Sequence, residues 1–417
     1  MAKFIIKGGK KLSGEIEVKG AKNATLPILT ATLLASGVYT FSNIPELKDV
    51  EVMIDLLRHL GLVIKKLAPH TYRITNQGIK NIEAPYELVK AMRASFLVMG
   101  PLLGSAKKAR VSMPGGCAIG ARPVNFHLNG FENLGVKITV DHGFINAEAK
   151  ELIGAEINLP FPTVTGTENL VMAAVKAKGR TIINNAAREP EVGDLCNLLN
   201  KMGAKISGIN TDKLEINGVD KLQACDYEVI PDRIEIGTFI ILSALFQGKI
   251  LIKNARLDLL VDFIKKIEKA GIIVEKTGEY ISAKIFKKIN PLKVATEPYP
   301  GFPTDLQPQL MVLLNLANGD STIEENIFEN RFRQVPELNR LGAKITIFEK
   351  TATITGVEKL TGTEVTATDL RAGAALVLAG LIAENTTTIN EAEHLERGYE
   401  DLVGRLQALG ADIKKQT

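Results

Sequence analysis

LGLVI at residues 60–64, LGVKI at 134–138, MGAKI at 202–206, AGIIV at 270–274, LGAKI at 341–345 and LGADI at 409–413 are six versions of one junction. In each, a glycine follows an apolar residue and a β-branched residue stands three positions beyond it. The glycines, Gly61, Gly135, Gly203, Gly271, Gly342 and Gly410, are 74, 68, 68, 71 and 68 residues apart. Self-similarity at a near-constant period marks a repeat architecture. The segments before the glycines are helical by spacing. Met53, Leu56, Leu57 and Leu60 fall at i, i+3, i+4 and i+7, and so do Leu195, Leu198, Leu199 and Met202. A glycine just past such a helix is the usual residue for its left-handed stop, and a strand follows at once.

A second junction alternates with the first: SGVYTF at Gly37, KKARVS at Lys108, KGRTII at Gly179, QGKILI at Gly248, NGDSTI at Gly319 and ENTTTI at Asn385. Each ends an apolar helix and begins a strand. A unit of about 70 residues therefore holds two helices and several strands, six times over. After Gly410 only ADIKKQT remains, so the sixth unit stops short. The stretch TGVEKLTGTEVTATDLRAG at 355–373 resembles KGGKKLSGEIEVKGAKNAT at 7–25, which predicts that N-terminal strands complete the sixth unit. Grouping the units three and three gives a first domain at 22–230 and a discontinuous second domain at 1–21 plus 231–417. The chain then crosses twice between domains, with a cleft expected between them, and ligands favour such clefts.

Composition narrows the function classes. At 417 residues the chain exceeds one ordinary core, and 45% apolar with 24% charged residues is globular, not disordered. The net charge of +4 is spread among nearly as many acids as bases, which argues against nucleic-acid binding. The longest apolar runs, FIILSALF at 239–246 and AALVLAGLIA at 374–383, suit buried helices rather than membrane spans, and no membrane insertion is expected. The start, MAKFIIKGGKKLSGE, has no long apolar core and no small-residue cleavage site, so no signal peptide is expected. Cys117, Cys196 and Cys225 are odd in number, far apart and without metal-ligand spacing, which fits a reducing cytoplasm. There is no Rossmann fingerprint, no Walker A and no zinc-protease pattern, and His59 and His142 read as structural or solvated. No cofactor or metal is expected.

The first long helix of each unit starts just after a strand and a turn, in GAKNATLPIL, KAMRASFLVM, TGTENLVMAA, PDRIEIGTFI, PTDLQPQLMV and TDLRAGAALV. Exposed N–H groups and the helix dipole make each start a potential anion site. Lys22, Arg93, Arg233 and Arg371 lie at or near four of these starts, where a cation is unfavourable for the dipole. Either a neighbouring carboxylate pairs with each, or a bound phosphate or carboxylate does, and the recurrence favours the second. From Leu88 to Phe131 there is no Asp or Glu, only Lys90, Arg93, Lys107, Lys108, Arg110, Arg122 and His127 around PGGCAIGARP at 114–123. That pattern reads as a solvated basic face or, better, as an anion-binding lid carrying a thiol.

GAKNA, MRAS, PGGCAIGARPV, NAAREPE, FPTD, FENRF, ATDLRA and RGYE stand in the order found in UDP-N-acetylglucosamine enolpyruvyl transferases, and the resemblance runs end to end. The cysteine-loop motif is the most specific of these. The resemblance implies an α/β fold of two inside-out α/β barrel domains, each of three repeated βαβαββ-type units. It implies transfer of the enolpyruvyl group of phosphoenolpyruvate to the 3-hydroxyl of UDP-N-acetylglucosamine, with release of phosphate, as the first committed step of peptidoglycan synthesis. Cys117 matches the general acid of that family, which protonates the methylene carbon and is the thiol that fosfomycin alkylates; nearby Arg122 should favour its thiolate. Lys22 and Asn23 match positions that meet donor and sugar. Arg93 and Arg122 match cations at the phosphates, Arg397 a carboxylate-binding arginine, and Arg331 and Arg371 line the same site. Asp305 matches the residue at the sugar 3-hydroxyl, a general base; from the residues alone it reads as a helix N-cap in PTDLQ.

The nucleotide side of the resemblance covers Pro123, Val124, Asn125 and Phe126, the loop Thr163, Val164, Thr165 and Gly166, and Ile327 with Phe328. It departs from many relatives at Asn125 and Phe126, where Asp-Leu is common, and in FPTVTGTEN, where some have a lysine and SVG. Cys196, on an amphipathic helix, and Cys225, before a strand, read as inert. Two alternatives remain. One is the sister enzyme acting on shikimate phosphate, which lacks the cysteine lid. The other is a silent paralogue that binds UDP-sugar as a regulator or scaffold.

Overall fold

The computed structural model describes residues 2–113 and 124–416. Cys117, Arg122 and Pro123 lie outside the described residues. The described chain falls into two compact units, one of residues 20–113 and 124–230, the other of residues 2–19 and 231–416. Each has its own apolar core.

Among the described residues the strands form six four-stranded sheets, three per unit, with one topology throughout. In the sheet Glu156–Asn158, Arg180–Asn184, Lys213–Asn217, Lys205–Ser207, the first two strands are parallel and the others antiparallel. The parallel pair is joined by the buried helix Val164–Ala174, and the remaining two strands form a hairpin entered from the helix Pro190–Lys201. The junction glycines all take positive φ, from 86° at Gly135 to 111° at Gly61, the conformation the repeated motif required. The second junction reaches the same region without glycine at Lys107 (φ 60°) and Asn385 (φ 68°).

The N-terminal strands divide between two sheets. Lys3–Lys7 completes the sixth, lying antiparallel to both Thr386–Asn390 and Asp412–Gln416. Gly14–Glu17 instead completes the fourth, parallel to Ile250–Lys253. The reason is visible in the likeness of 7–25 to 355–373, which runs across a unit boundary: the end of one hairpin is followed by the opening strand of the next unit. The first sheet is completed likewise by a distant strand, Tyr227–Glu228, parallel to part of Gly37–Ser42.

Helices lie inside and sheets outside. Every residue of Arg233–Ala244 is buried, and so is every residue of Arg371–Leu381. These helices contain the two long apolar runs, and a helix apolar all round must be covered all round. The strands alternate instead, as in Lys213–Asn217 with Leu214 and Ile216 buried, so one sheet face meets water. The inner helices approach closely: Gly100 N donates to Asn169 Oδ1 at 2.6 Å, and a Cβ on Gly100 would lie 2.1 Å from the Asn169 carbonyl oxygen. Only glycine fits there.

Candidate active site

In the unit of residues 231–416, three of the expected site residues come together. Asp305 lies in the 3-10 turn Thr304–Leu306 that opens the helix Gln307–Leu314. Its Oδ1 accepts from Arg331 Nη2 at 2.8 Å, and its Oδ2 accepts from Arg371 Nε and Nη2 at 3.2 and 3.1 Å. Asp305 therefore caps no helix; the carboxylate is committed to two guanidinium groups. The arginine side chains are 3% and 4% exposed and Asp305 is 27% exposed, so the acid forms the accessible edge of the cluster. Burial opposes the charge on Arg371, but the Asp305 carboxylate more than offsets it, and the guanidinium holds its proton more tightly than usual.

The scaffold behind the cluster is polar and buried. The Arg371 guanidinium sits 5.6 Å from the ring centroid of Tyr399, whose hydroxyl shares a 2.9 Å hydrogen bond with Thr238 Oγ1 and accepts from Gln309 Nε2 at 3.2 Å. Burial pushes the Tyr399 phenol above its ordinary pKa, so it keeps its proton. Glu325 ties the neighbouring turns: it accepts from Thr296 Oγ1, Thr304 Oγ1, Ile327 N and Phe328 N, each at 2.9–3.1 Å. That fixes Ile327 and Phe328, and the Phe328 ring lies 6.0 Å from the Arg331 guanidinium. Arg397 ends the 3-10 turn Ala392–Arg397, two residues before Tyr399.

In the other unit, Lys22 and Asn23 open the helix Lys22–Ala31, whose N-cap Ala21 supplies no capping side chain. Lys22 Nζ is 3.3 Å from Asp49 Oδ2, with the side chains 13% and 5% exposed. Arg93 opens the 3-10 stretch Arg93–Val98, again uncapped by a side chain. His127, on the helix Asn125–Asn133, is pushed down to about 3 by burial and secondarily by the Arg93 charge, so it is a neutral core residue. Val124 is the N-cap of that helix, and Phe126 packs against the core. Thr163 caps Val164–Ala174 by accepting from Gly166 N at 3.4 Å, with Val164, Thr165 and Gly166 in the first turn.

These positions show which acids of the chain lie beside the cationic helix starts. At Lys22 and Arg371 a carboxylate of the chain, Asp49 or Asp305, pairs with the cation. At Arg233 and Arg371 the free N–H groups are also taken: Asp232 accepts from Ile234 N and Glu235 N, and Asp369 accepts from Arg371 N and Ala372 N. A buried side chain of the chain's own is simply the nearest anion. Of the six repeated helix starts, those at Lys22, Arg93 and Thr304 carry no side-chain cap. The inert reading of the other thiols fits their surroundings: burial pushes Cys196 up to about 12 and raises Cys225 as well.

Residues 6–406 match the sequence profile described as EPSP synthase (3-phosphoshikimate 1-carboxyvinyltransferase). The chain belongs to this enolpyruvyl transferase family. Among similar proteins, the UDP-N-acetylglucosamine 1-carboxyvinyltransferase of Geotalea uraniireducens (strain Rf4) is 51% identical over 413 residues, 99% of each chain. The UDP-N-acetylglucosamine 1-carboxyvinyltransferase 1 of Caldanaerobacter subterraneus subsp. tengcongensis is 50% identical over 414 residues, again 99% of each. Among solved structures, the enolpyruvyl transferase NikO from Streptomyces tendae superposes with a TM-score of 0.90 at 25% identity, covering 100% of this chain and 99% of that one. EPSP synthase from Acinetobacter baumannii superposes at 0.77 with 18% identity over the whole of both chains, a likeness of fold. The enolpyruvyl transferase fold, two inside-out α/β domains, is thus the fold of this chain.

Sequence reasoning missed Asp49, Glu325 and Tyr399 in this enolpyruvyl transferase. Asp49 sits in the first turn of Lys48–His59, where an acid is expected for the dipole alone. Its pairing with a lysine 27 residues earlier leaves no local trace. Tyr399 stands inside the quoted RGYE, so position marked it while its partners did not.

Proposed function

We infer that the chain is a UDP-N-acetylglucosamine 1-carboxyvinyltransferase. It moves the enolpyruvyl group of phosphoenolpyruvate to the 3-hydroxyl of the sugar nucleotide, in peptidoglycan synthesis. The observation that carries this is identity of about half over essentially the full length with proteins of that name.

The chemistry assigns roles. The sugar oxygen attacks C2 of the donor while a proton is added at C3, giving a tetrahedral phosphate ketal. Loss of a C3 proton and cleavage of the C2–O bond to phosphorus then release phosphate. Cys117 supplies the first proton, and Asp305 receives the proton of the hydroxyl. Lys22, Arg93, Arg122 and Arg397 hold phosphate and carboxylate groups, with Asn23 at the sugar. Val124, Asn125, Phe126, Thr163, Val164, Thr165, Gly166, Ile327 and Phe328, with Pro123, form the nucleotide side. The cytoplasm is the assigned compartment, in keeping with three unpaired-by-spacing cysteines; no helix among the described residues is long and apolar enough to cross a membrane.

Phosphate release from phosphoenolpyruvate, measured with UDP-N-acetylglucosamine and in parallel with shikimate 3-phosphate, tests the reading. Turnover is expected with the sugar nucleotide alone. Turnover with shikimate 3-phosphate would move the chain to the sister activity, and none with either acceptor would favour a binding protein.

A further inference from the structure

Asp305 is the group assigned to take a proton, yet both its oxygens are engaged by Arg331 and Arg371. A guanidinium pair spread around one carboxylate is also a receptor for any other carboxylate. The donor carries one. We propose that Asp305 is a built-in competitor for the carboxylate of phosphoenolpyruvate at Arg331 and Arg371, so that donor binding releases Asp305 to act on the sugar hydroxyl. The inference rests on the proposed function, because it needs a carboxylate-bearing donor.

Three observations carry it. The contact is spread over both acid oxygens and both arginines, so an incoming carboxylate meets a receptor already assembled. The guanidiniums are not saturated: Arg331 Nε and Arg371 Nη1 are buried N–H groups without a partner among the described residues. Unmade buried hydrogen bonds are costly, so a second acceptor is favoured there. Finally, Asp305 is the more exposed member, while the buried guanidiniums each lie near a ring, Arg371 at Tyr399 and Arg331 at Phe328. Asp305 can therefore turn away while the arginines stay. The arrangement links the two substrates: the base is engaged while the donor is absent and available once the donor carboxylate has replaced it. Linkage makes the effect reciprocal, so whatever neutralises Asp305 must strengthen donor binding.

The test is calorimetric binding of phosphoenolpyruvate and of vinyl phosphate, which lacks the carboxylate. No acceptor is present, and Cys117→Ala serves as background so that the thiol assigned as proton donor cannot react with the donor. Asp305→Asn is expected to bind phosphoenolpyruvate about tenfold more tightly than the background protein, with vinyl phosphate unchanged. Because Asp305→Asn leaves two buried guanidiniums unpaired and can fail to fold, Arg331→Gln and the double variant Asp305→Asn with Arg331→Gln are measured too. Arg331→Gln should weaken phosphoenolpyruvate binding, and adding Asp305→Asn should restore it at least in part. Equal or weaker phosphoenolpyruvate binding in Asp305→Asn, an equal gain for vinyl phosphate, or no restoration in the double variant overturns the competition. Binding of phosphoenolpyruvate to none of the proteins, the background included, overturns the functional reading itself and the inference with it.

Discussion

At the scale of the residue, the candidate site is a set of charges whose partners decide their use. Arg371 and Lys22 each meet an acid of the chain, Asp305 and Asp49. Thiols are sorted in the same way. Cys196 is buried with its pKa up at about 12, and Cys225 is raised by burial, so both are protonated and unreactive at neutral pH. If Cys117 works as a proton donor, a carboxylic acid there should partly serve and a hydroxyl should not. Cys117→Asp is therefore expected to retain turnover, with a more acidic pH optimum because aspartate starts from about 3.9. Cys117→Ser is expected to be nearly inactive. Both variants should resist alkylation by fosfomycin. Full activity of the serine variant removes the acid role, and alkylation of either variant, read by mass spectrometry, points to Cys196 or Cys225.

At the scale of the element, helix starts do the positioning. The helix Leu370–Ile382 begins with Asp369, whose side chain accepts from Arg371 N and Ala372 N at 2.9 and 3.0 Å. This cap fixes the backbone of Arg371, and through it the geometry at Asp305. Asp369→Ala is expected to cost about 1 kcal/mol of stability, read from urea unfolding. It should also lower kcat/KM, because a displaced Arg371 no longer keeps its guanidinium in place in the site. Unchanged kinetics beside a normal loss of stability would confine Asp369 to capping. The helix itself was legible in AALVLAGLIA and its start in TDLRA, since periodicity and capping act within a few residues. That Asp305, 66 residues earlier, would lie against Arg371 was not, because no local interaction records it.

At the scale of the whole molecule, buried ionisable groups set how stability follows pH. His127 is depressed from 6.5 to about 3, mainly by burial. Below 6.5 the unfolded chain binds a proton that the folded chain refuses, so stability falls as pH drops toward 3. Glu168 is raised well above 4.5, first by burial and then by the charges of Glu191 and Glu189. The folded chain keeps that proton when the unfolded chain has lost it, so stability falls as pH rises from 4.5 toward the folded value. Each slope is about 1.4 kcal/mol per pH unit while it lasts. Above 4.5 the two act in opposite directions: lowering the pH costs stability through His127, and raising it costs stability through Glu168. Glu168→Gln should abolish the alkaline decline and raise the melting temperature at pH 8; an unaltered alkaline limb would show that Glu168 is not its source.

By itself the sequence determined the six units, the glycine stops between helix and strand, the buried helices and the family, because period, apolar runs and motif order are properties of neighbours along the chain. Only the tertiary structure decided which sheet each N-terminal strand joins and which acid meets which cation. It sent Gly14–Glu17 to the fourth sheet and Lys3–Lys7 to the sixth, set Asp49 on Lys22, and placed Asp305 between Arg331 and Arg371. Those choices depend on which surfaces the closed fold brings within a few ångströms. A pairing across 66 or 216 residues is fixed by packing and desolvation of both partners together, as with Asp305 and Arg371 or Lys19 N and Glu235, and nothing in either local stretch encodes it.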